Sequence, residues 1–257
     1  MDSDDFIADT VLEDFYKVAE EFNADVVHAQ MSLAYNKIEG KFEPKPTKFE
    51  KSTVNLKPTL ETFDIAKRVD DFLGGKYNSR IWNKILRREF LIENQICFPE
   101  ISVSEDYPFS VMLISCAKNY VRVPFIAYFY RKHSDSVTHN KFTSLEEGIL
   151  DLNEGVYFLD NFLKSHEFFI ENPTYRYLLV DDFCQLFMRL SSKGILLNPN
   201  FDLGKIYEVC CRRIFTADPQ KNIPLTSYLF ATTNVYKLLV KQQAAEITRL
   251  KNLLQDK

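Results

Sequence analysis

Apolar residues recur every three or four positions from Thr10 to Phe22, where Val11, Phe15, Val18 and Phe22 form one stripe, so this stretch is predicted to be a helix. Thr10-Val11-Leu12-Glu13 fits a capping box at its start. Asp25-Val26-Val27-His28-Ala29-Gln30 then reads as a short strand. Asn36 to Lys41 and the lysine- and proline-bearing run to Lys57 predict a long polar connection. Helical spacing returns over about 59–73 and 79–91, broken by Gly74-Gly75. Pro108 is expected in the first turn of a helix reaching Cys116. Val121, Val123, Ile126, Tyr128 and Tyr130 mark a strand, with Pro124 at an edge or a bulge.

After Asn140 the pattern becomes helical throughout. Ser144-Leu145-Glu146-Glu147 is a second capping box, and Ile149, Leu152, Val156, Leu159 and Leu163 follow on one face. Asn172-Pro173 opens a helix carrying Leu179, Phe183, Leu186 and Leu190. Further helices are expected at about 203–214 and from 224 onward. Val240, Ile247 and Leu254 lie one heptad apart with Leu250 between them, which permits a short coiled coil. The expected organisation is a mixed α/β segment over 1–141, a helical segment over 142–239 and a terminal helix over 240–257.

Composition narrows the function classes. With 257 residues the chain can bury a large core without disulfides or a structural metal. Its net charge of −4 disfavours a nucleic-acid partner, which would need a basic stripe. Only 7 glycines occur, and neither G-x-G-x-x-G nor a P-loop is present. The five cysteines (97, 116, 184, 210, 211) have no C-x-x-C spacing, so a reducing compartment is expected. No apolar run approaches a membrane span, and the acidic N-terminus is unlike a signal peptide. These features predict a cytoplasmic location.

Chemistry concentrates at the acids. Asp2-Ser3-Asp4-Asp5 sets three carboxylates in four residues ahead of the first helix. Two acids flanking one residue on a tight turn can share a hard divalent cation such as Mg²⁺ or Mn²⁺. They can equally cap the helix and favour its positive end. Downstream stand Trp82-Asn83-Lys84-Ile85-Leu86-Arg87-Arg88, Ser104-Glu105-Asp106-Tyr107-Pro108 and Tyr130-Arg131-Lys132-His133-Ser134-Asp135-Ser136.

In this order and spacing, over about residues 1–140, the blocks resemble the family 2 glycosyltransferases of bacteria, which have a GT-A fold. The resemblance implies an α/β fold: a partial GT-A (Rossmann-like) domain followed by an all-α C-terminal region. It implies that Asp2 and Asp4 form the D-x-D that holds Mn²⁺ or Mg²⁺ against the donor diphosphate, with Asp5 beside them. Asp106 matches the general base of inverting members, and Glu105 its neighbour. His133 matches the histidine that can complete the metal shell, and Arg131 would face the phosphates. Lys84 could attract the diphosphate or belong to a solvated helix face. Trp82 could stack on a sugar or nucleobase or serve as a core or rim aromatic.

The implied partners are a UDP- or GDP-sugar donor and a glycan or lipid-linked acceptor, in surface glycan assembly at the inner membrane. The family's nucleobase-binding βαβ half precedes the D-x-D, whereas here Met1 directly precedes Asp2. The chain is therefore expected to resemble the C-terminal half of a member, with little activity alone, and to pair with itself or with a missing half. The competing reading is a non-catalytic interaction protein whose helices and terminal heptads bind another subunit.

Overall fold

Two long strands, β2 (Val26–Tyr35) and β8 (Tyr120–Arg131), run parallel and carry the architecture of the computed structural model, which describes residues 5–35, 37–38, 41–42, 45–46, 56–131, 145–196, 240 and 243–253. The remaining described elements are β1 (Phe6–Ile7), α1 (Val11–Glu21), β3 (Lys37–Ile38), β4 (Lys41–Phe42), β5 (Lys45–Pro46), β6 (Thr59–Leu60), α2 (Ile65–Leu73), β7 (Lys84–Leu86), α3 (Arg88–Glu93), α4 (Asp106–Cys116), α5 (Leu145–Ser165), α6 (Glu167–Glu171) and α7 (Pro173–Leu196). The main sheet has the path β1-β8-β2-β5. β6 adds to β8 and β7 to β2, and all four antiparallel additions to the central pair (β1, β5, β6 and β7) are short. The fold is mixed α/β, as expected.

Alternation along the strands divides the chain's apolar residues between the two faces of the sheet. Val27, Ala29, Val121 and Val123 face α1 and bury Val11, Phe15 and Val18. Val26 and Tyr120 project the other way and meet α2, α4 and the helices beyond. α4 is buried on every side from Tyr107 to Ser115, the mark of a helix enclosed by protein. Leu152, Val156, Leu159, Leu163, Leu179 and Phe183 of α5 and α7 join Val111, Leu113 and Ile114 of α4 in one core. Helices α5 and α7 thus pack directly on the helix that carries Asp106.

Several expectations hold and several shift. Pro124 does sit at an irregularity: β2 advances two residues from Ala29 to Met31 while β8 advances three, from Val123 to Ile126. Thr10 does not close a capping box; its backbone is already helical, and its hydroxyl donates to Asp14 at 2.7 Å instead. The helix expected from 59 starts at 65, because Asp64 caps it through Lys67 N–H at 3.1 Å and Thr59–Leu60 pairs with β8. The helix expected over 79–91 becomes a loop, then β7, then α3. Pairing of Lys84–Leu86 with β2 overrides the helical spacing there. The second capping box at Ser144 and the helices expected at 203–214 and after 224 lie outside the described residues.

Two buried side chains tie the layers. Arg68 of α2 donates to the carbonyls of Thr62, Ile114, Ala117 and Lys118, so a cation closes the C-terminus of α4. Asp25 accepts from the N–H groups of Lys118 and Asn119 at 2.8 and 2.9 Å and pairs with Arg87, fixing the start of β8 beside that of β2.

Candidate functional site

Asp106 is the first residue of α4, with Glu105 at the capping position before it. The turn that aims them is strained: Ser104 has φ 66°, in the left-handed region that costs a non-glycine residue about 1–3 kcal/mol. Its hydroxyl is buried without a hydrogen-bond partner. The strain is held from both sides. Asp151 of α5 accepts from the N–H groups of Ser102 and Val103 at 2.7 and 3.2 Å. Tyr107 donates to Asp182 of α7 at 2.9 Å. The positive end of α4 then favours a charged carboxylate at Asp106.

Lys84 opens β7, where it pairs in register with His28 of β2, which in turn pairs with Arg122 of β8. The three basic side chains therefore share one sheet face, the one turned to α4. The Lys84 ammonium donates to the backbone carbonyls of Asn78 (3.1 Å) and Arg80 and to the Asn83 side-chain oxygen (3.2 Å). The residue as a whole is half-buried, but its ammonium is turned inward. Burial pushes its pKa down to about 7; attraction to Asp106 works against that shift and repulsion from Arg80 adds to it. His28 is held well below the usual imidazole range, by burial first and then by Lys84, Arg122 and Arg80. Arg122 is balanced by Glu61 at 2.5 Å.

The loop that Lys84 gathers presents Trp82. Its indole stacks on Tyr128 with ring centres 4.2 Å apart and lies nearly parallel to Tyr130 at 6.2 Å. The Arg80 guanidinium lies 5.2 Å from the centre of the Trp82 ring. Tyr128 in turn donates to Asp5 at 2.7 Å, and both residues are buried. A continuous set of contacts thus runs from Asp5 through Tyr128, Trp82 and the 78–84 loop to Lys84, whose charge is felt by Asp106.

Three sequence candidates, Asp5, Trp82 and Lys84, are brought into this one chain of contacts, and Ser110 ties its loop to α4, the helix that begins at Asp106 after Glu105. Arg131 is the last residue of β8, opposite Tyr35 in register. Asp2, Asp4 and His133 lie outside the described residues. Among the described residues no cluster of three or more histidine, cysteine or acidic side chains could hold a metal ion. Tyr128, Tyr130, Arg80 and Asn78 were not among the sequence candidates. The alternation of Tyr128 and Tyr130 places both on one face of β8, and that signal was present in the sequence.

A groove of about 810 Å³ opens elsewhere, between the 94–100 segment and the α5 residues Glu154, Tyr157, Phe158 and Asn161. It contains none of the candidate residues.

No family model matches this sequence, and no curated protein does. Among solved structures, the chain is similar to S. aureus TarS 1-349 in complex with UDP-GlcNAc, with a TM-score of 0.53 and 17% identity over 83% of this chain and 54% of that one. A second structure of S. aureus TarS 1-349 matches with a TM-score of 0.51 and 16% identity over 82% and 52%. The chain spans about half the length of the TarS fragment. At this identity the likeness establishes the fold alone, a Rossmann-like α/β arrangement shared with TarS.

Proposed function

We propose that this chain is an inverting, family 2 glycosyltransferase module that moves a sugar from a UDP- or GDP-sugar to a hydroxyl of a glycan or lipid-linked acceptor. Asp106 takes the proton from the acceptor hydroxyl as its oxygen bonds to the anomeric carbon. The bond from that carbon to the donor diphosphate breaks, and the electron pair leaves with the nucleoside diphosphate. A hydroxyl is a poor nucleophile, so such a base contributes about 10²–10⁴ in rate. Asp2 and Asp4 offer hard oxygen donors suited to Mn²⁺ or Mg²⁺, and His133 would complete the shell with a nitrogen; the ion when bound would offset charge on the leaving diphosphate. Asp5 serves to position that acidic turn, since its carboxylate is engaged by Tyr128. Trp82 offers an aromatic face to the sugar or base, and the family resemblance assigns Arg131 to the phosphates.

The observation that supports this reading is the run of contacts from Asp5 through Tyr128 and Trp82 to the 78–84 loop, which Ser110 ties to α4, the helix that begins at Asp106. The fold shared with TarS, whose structure holds UDP-GlcNAc, supports a nucleotide-sugar donor. Surface glycan synthesis on the cytoplasmic side of the inner membrane is the setting that fits. No described helix is long and apolar enough to cross a membrane. The chain alone is expected to be weakly active, so the test is single-turnover sugar transfer at high protein concentration, with and without Asp106→Asn. A rate lower by about 10²–10⁴ with donor binding intact supports the assignment. Equal rates overturn it.

The helical segment 243–253 is exposed along its length, including Ile247, Leu250 and Leu253, as is Val240. That exposure supports a role for the terminal heptads in pairing two copies of the chain.

A further inference from the structure

An ammonium group has three donors, and Lys84 meets three acceptors: the Asn78 and Arg80 carbonyls and Asn83 Oδ1. All three belong to the segment leading into β7. Lys84 is therefore fully occupied inside its own loop and has no donor left for a phosphate oxygen. Meanwhile Asn83, wholly buried, donates from its amide to the Ala29 carbonyl at 2.9 Å and so anchors this loop to β2. Ser110 of α4 donates to the Ser79 carbonyl at 2.8 Å and ties the same loop to the helix that begins at Asp106. Trp82 rides between these anchors.

We propose that Lys84 is a positioning residue: its protonated ammonium closes the 78–83 loop on its own carbonyls beside Asp106, and so sets where Trp82 stands relative to the start of α4. The kinetic meaning of this role rests on the function proposed above, but the geometry does not. A neutral amine keeps two donors and turns a lone pair toward a carbonyl, so one loop contact is lost when the proton leaves. Groups facing Lys84 come from each neighbouring element: Asp106 from α4, Arg80 from the loop and His28 from β2. His28 is held neutral throughout the neutral range, so Lys84, which titrates at about 7, is the group expected to change charge there.

Trp82 is the only tryptophan in the chain and reports on its own loop. Acrylamide quenching of its fluorescence should increase by at least about twofold as pH rises from about 6 to 9, with a midpoint near 7. In Asp106→Asn that midpoint should move to lower pH, because the attraction that favours the charged lysine is gone. Lys84→Met should be quenched at pH 6 as readily as the parent is at pH 9, with no pH dependence. The parent titration needs no variant and decides the question even if Lys84→Met does not fold. Flat quenching in the parent overturns the proposal. A second arm measures UDP and GDP binding with Mn²⁺. Lys84→Met should lose no more affinity than Trp82→Ala does, whereas a loss at least about tenfold greater than that of Trp82→Ala identifies a phosphate ligand and overturns the positioning role. If neither nucleotide binds the parent, the proposed function fails while the quenching result still stands for or against Lys84.

Discussion

The Tyr128 hydroxyl donates to the Asp5 carboxylate at 2.7 Å, joining residues 123 positions apart. This bond links Asp5 to β8 and, through the Tyr128–Trp82 stack, to the loop that Ser110 ties to α4. Tyr128→Phe keeps the stack and removes the donor, leaving a buried carboxylate with one partner fewer. We expect a loss of about 1–3 kcal/mol in denaturant unfolding. An unchanged midpoint would show that Asp5 is held by other groups.

Gly155 lets α5 and α7 approach closely. A Cβ there would stand 2.7 Å from the Phe183 ring and 3.1 Å from Ile101. Phe183 is wholly buried, so it has little freedom to retreat. Gly155→Ala should destabilise the protein by about 1–3 kcal/mol despite the better helix propensity of alanine. A gain in melting temperature would mean that the two helices separate without cost.

Acid should weaken the fold before the carboxylates protonate. The folded pKa of His28 lies well below 6.5, so in the unfolded chain it takes up a proton that the native state refuses. Stability is therefore whole above about pH 6.5 and falls as pH drops toward the folded pKa, by about 1.4 kcal/mol per unit at full slope. His166, also lowered by burial, adds in the same direction. His28→Gln should flatten the profile between about pH 6.5 and 5 in urea titrations. An identical profile would place the acid sensitivity elsewhere.

Self-association should depend on the terminal helix. Val240 and Ile247 are β-branched at one heptad position and Leu250 occupies the other apolar position, the pattern that favours two parallel strands. In that arrangement Glu246 of one copy approaches Lys251 of the other. Sedimentation should show a concentration-dependent dimer that Ile247→Asp abolishes. A monomer at every concentration would leave those positions as ordinary exposed residues.

Much of the fold was legible because single faces dictated it. The Val11–Phe15–Val18 stripe gave α1, Pro108 fell in the first turn of α4, and Pro124 fell at the bulge in β8. What escaped was decided by partners distant in sequence. Residues 79–91 have helical spacing, yet β2 recruits Lys84–Leu86 as a strand. Lys84 sits among Arg87 and Arg88 in sequence and reads like them as a solvated charge, whereas its acceptors arise only when the loop folds over it. Asp106 is a candidate through the family resemblance alone, and the strained Ser104 and the Asp151 brace beside it come from φ and from α5, neither visible in local sequence.

Thermal melting with Mn²⁺ and UDP or GDP tests the central claim most directly. The nucleotide and metal together, near 100 times the dissociation constant, should raise the melting temperature by about 5 °C or more. That rise should vanish in Asp4→Ala and persist in Asp106→Asn, which removes the base and leaves the metal ligands. An unchanged melting curve in every combination would contradict a nucleotide-sugar site in this chain.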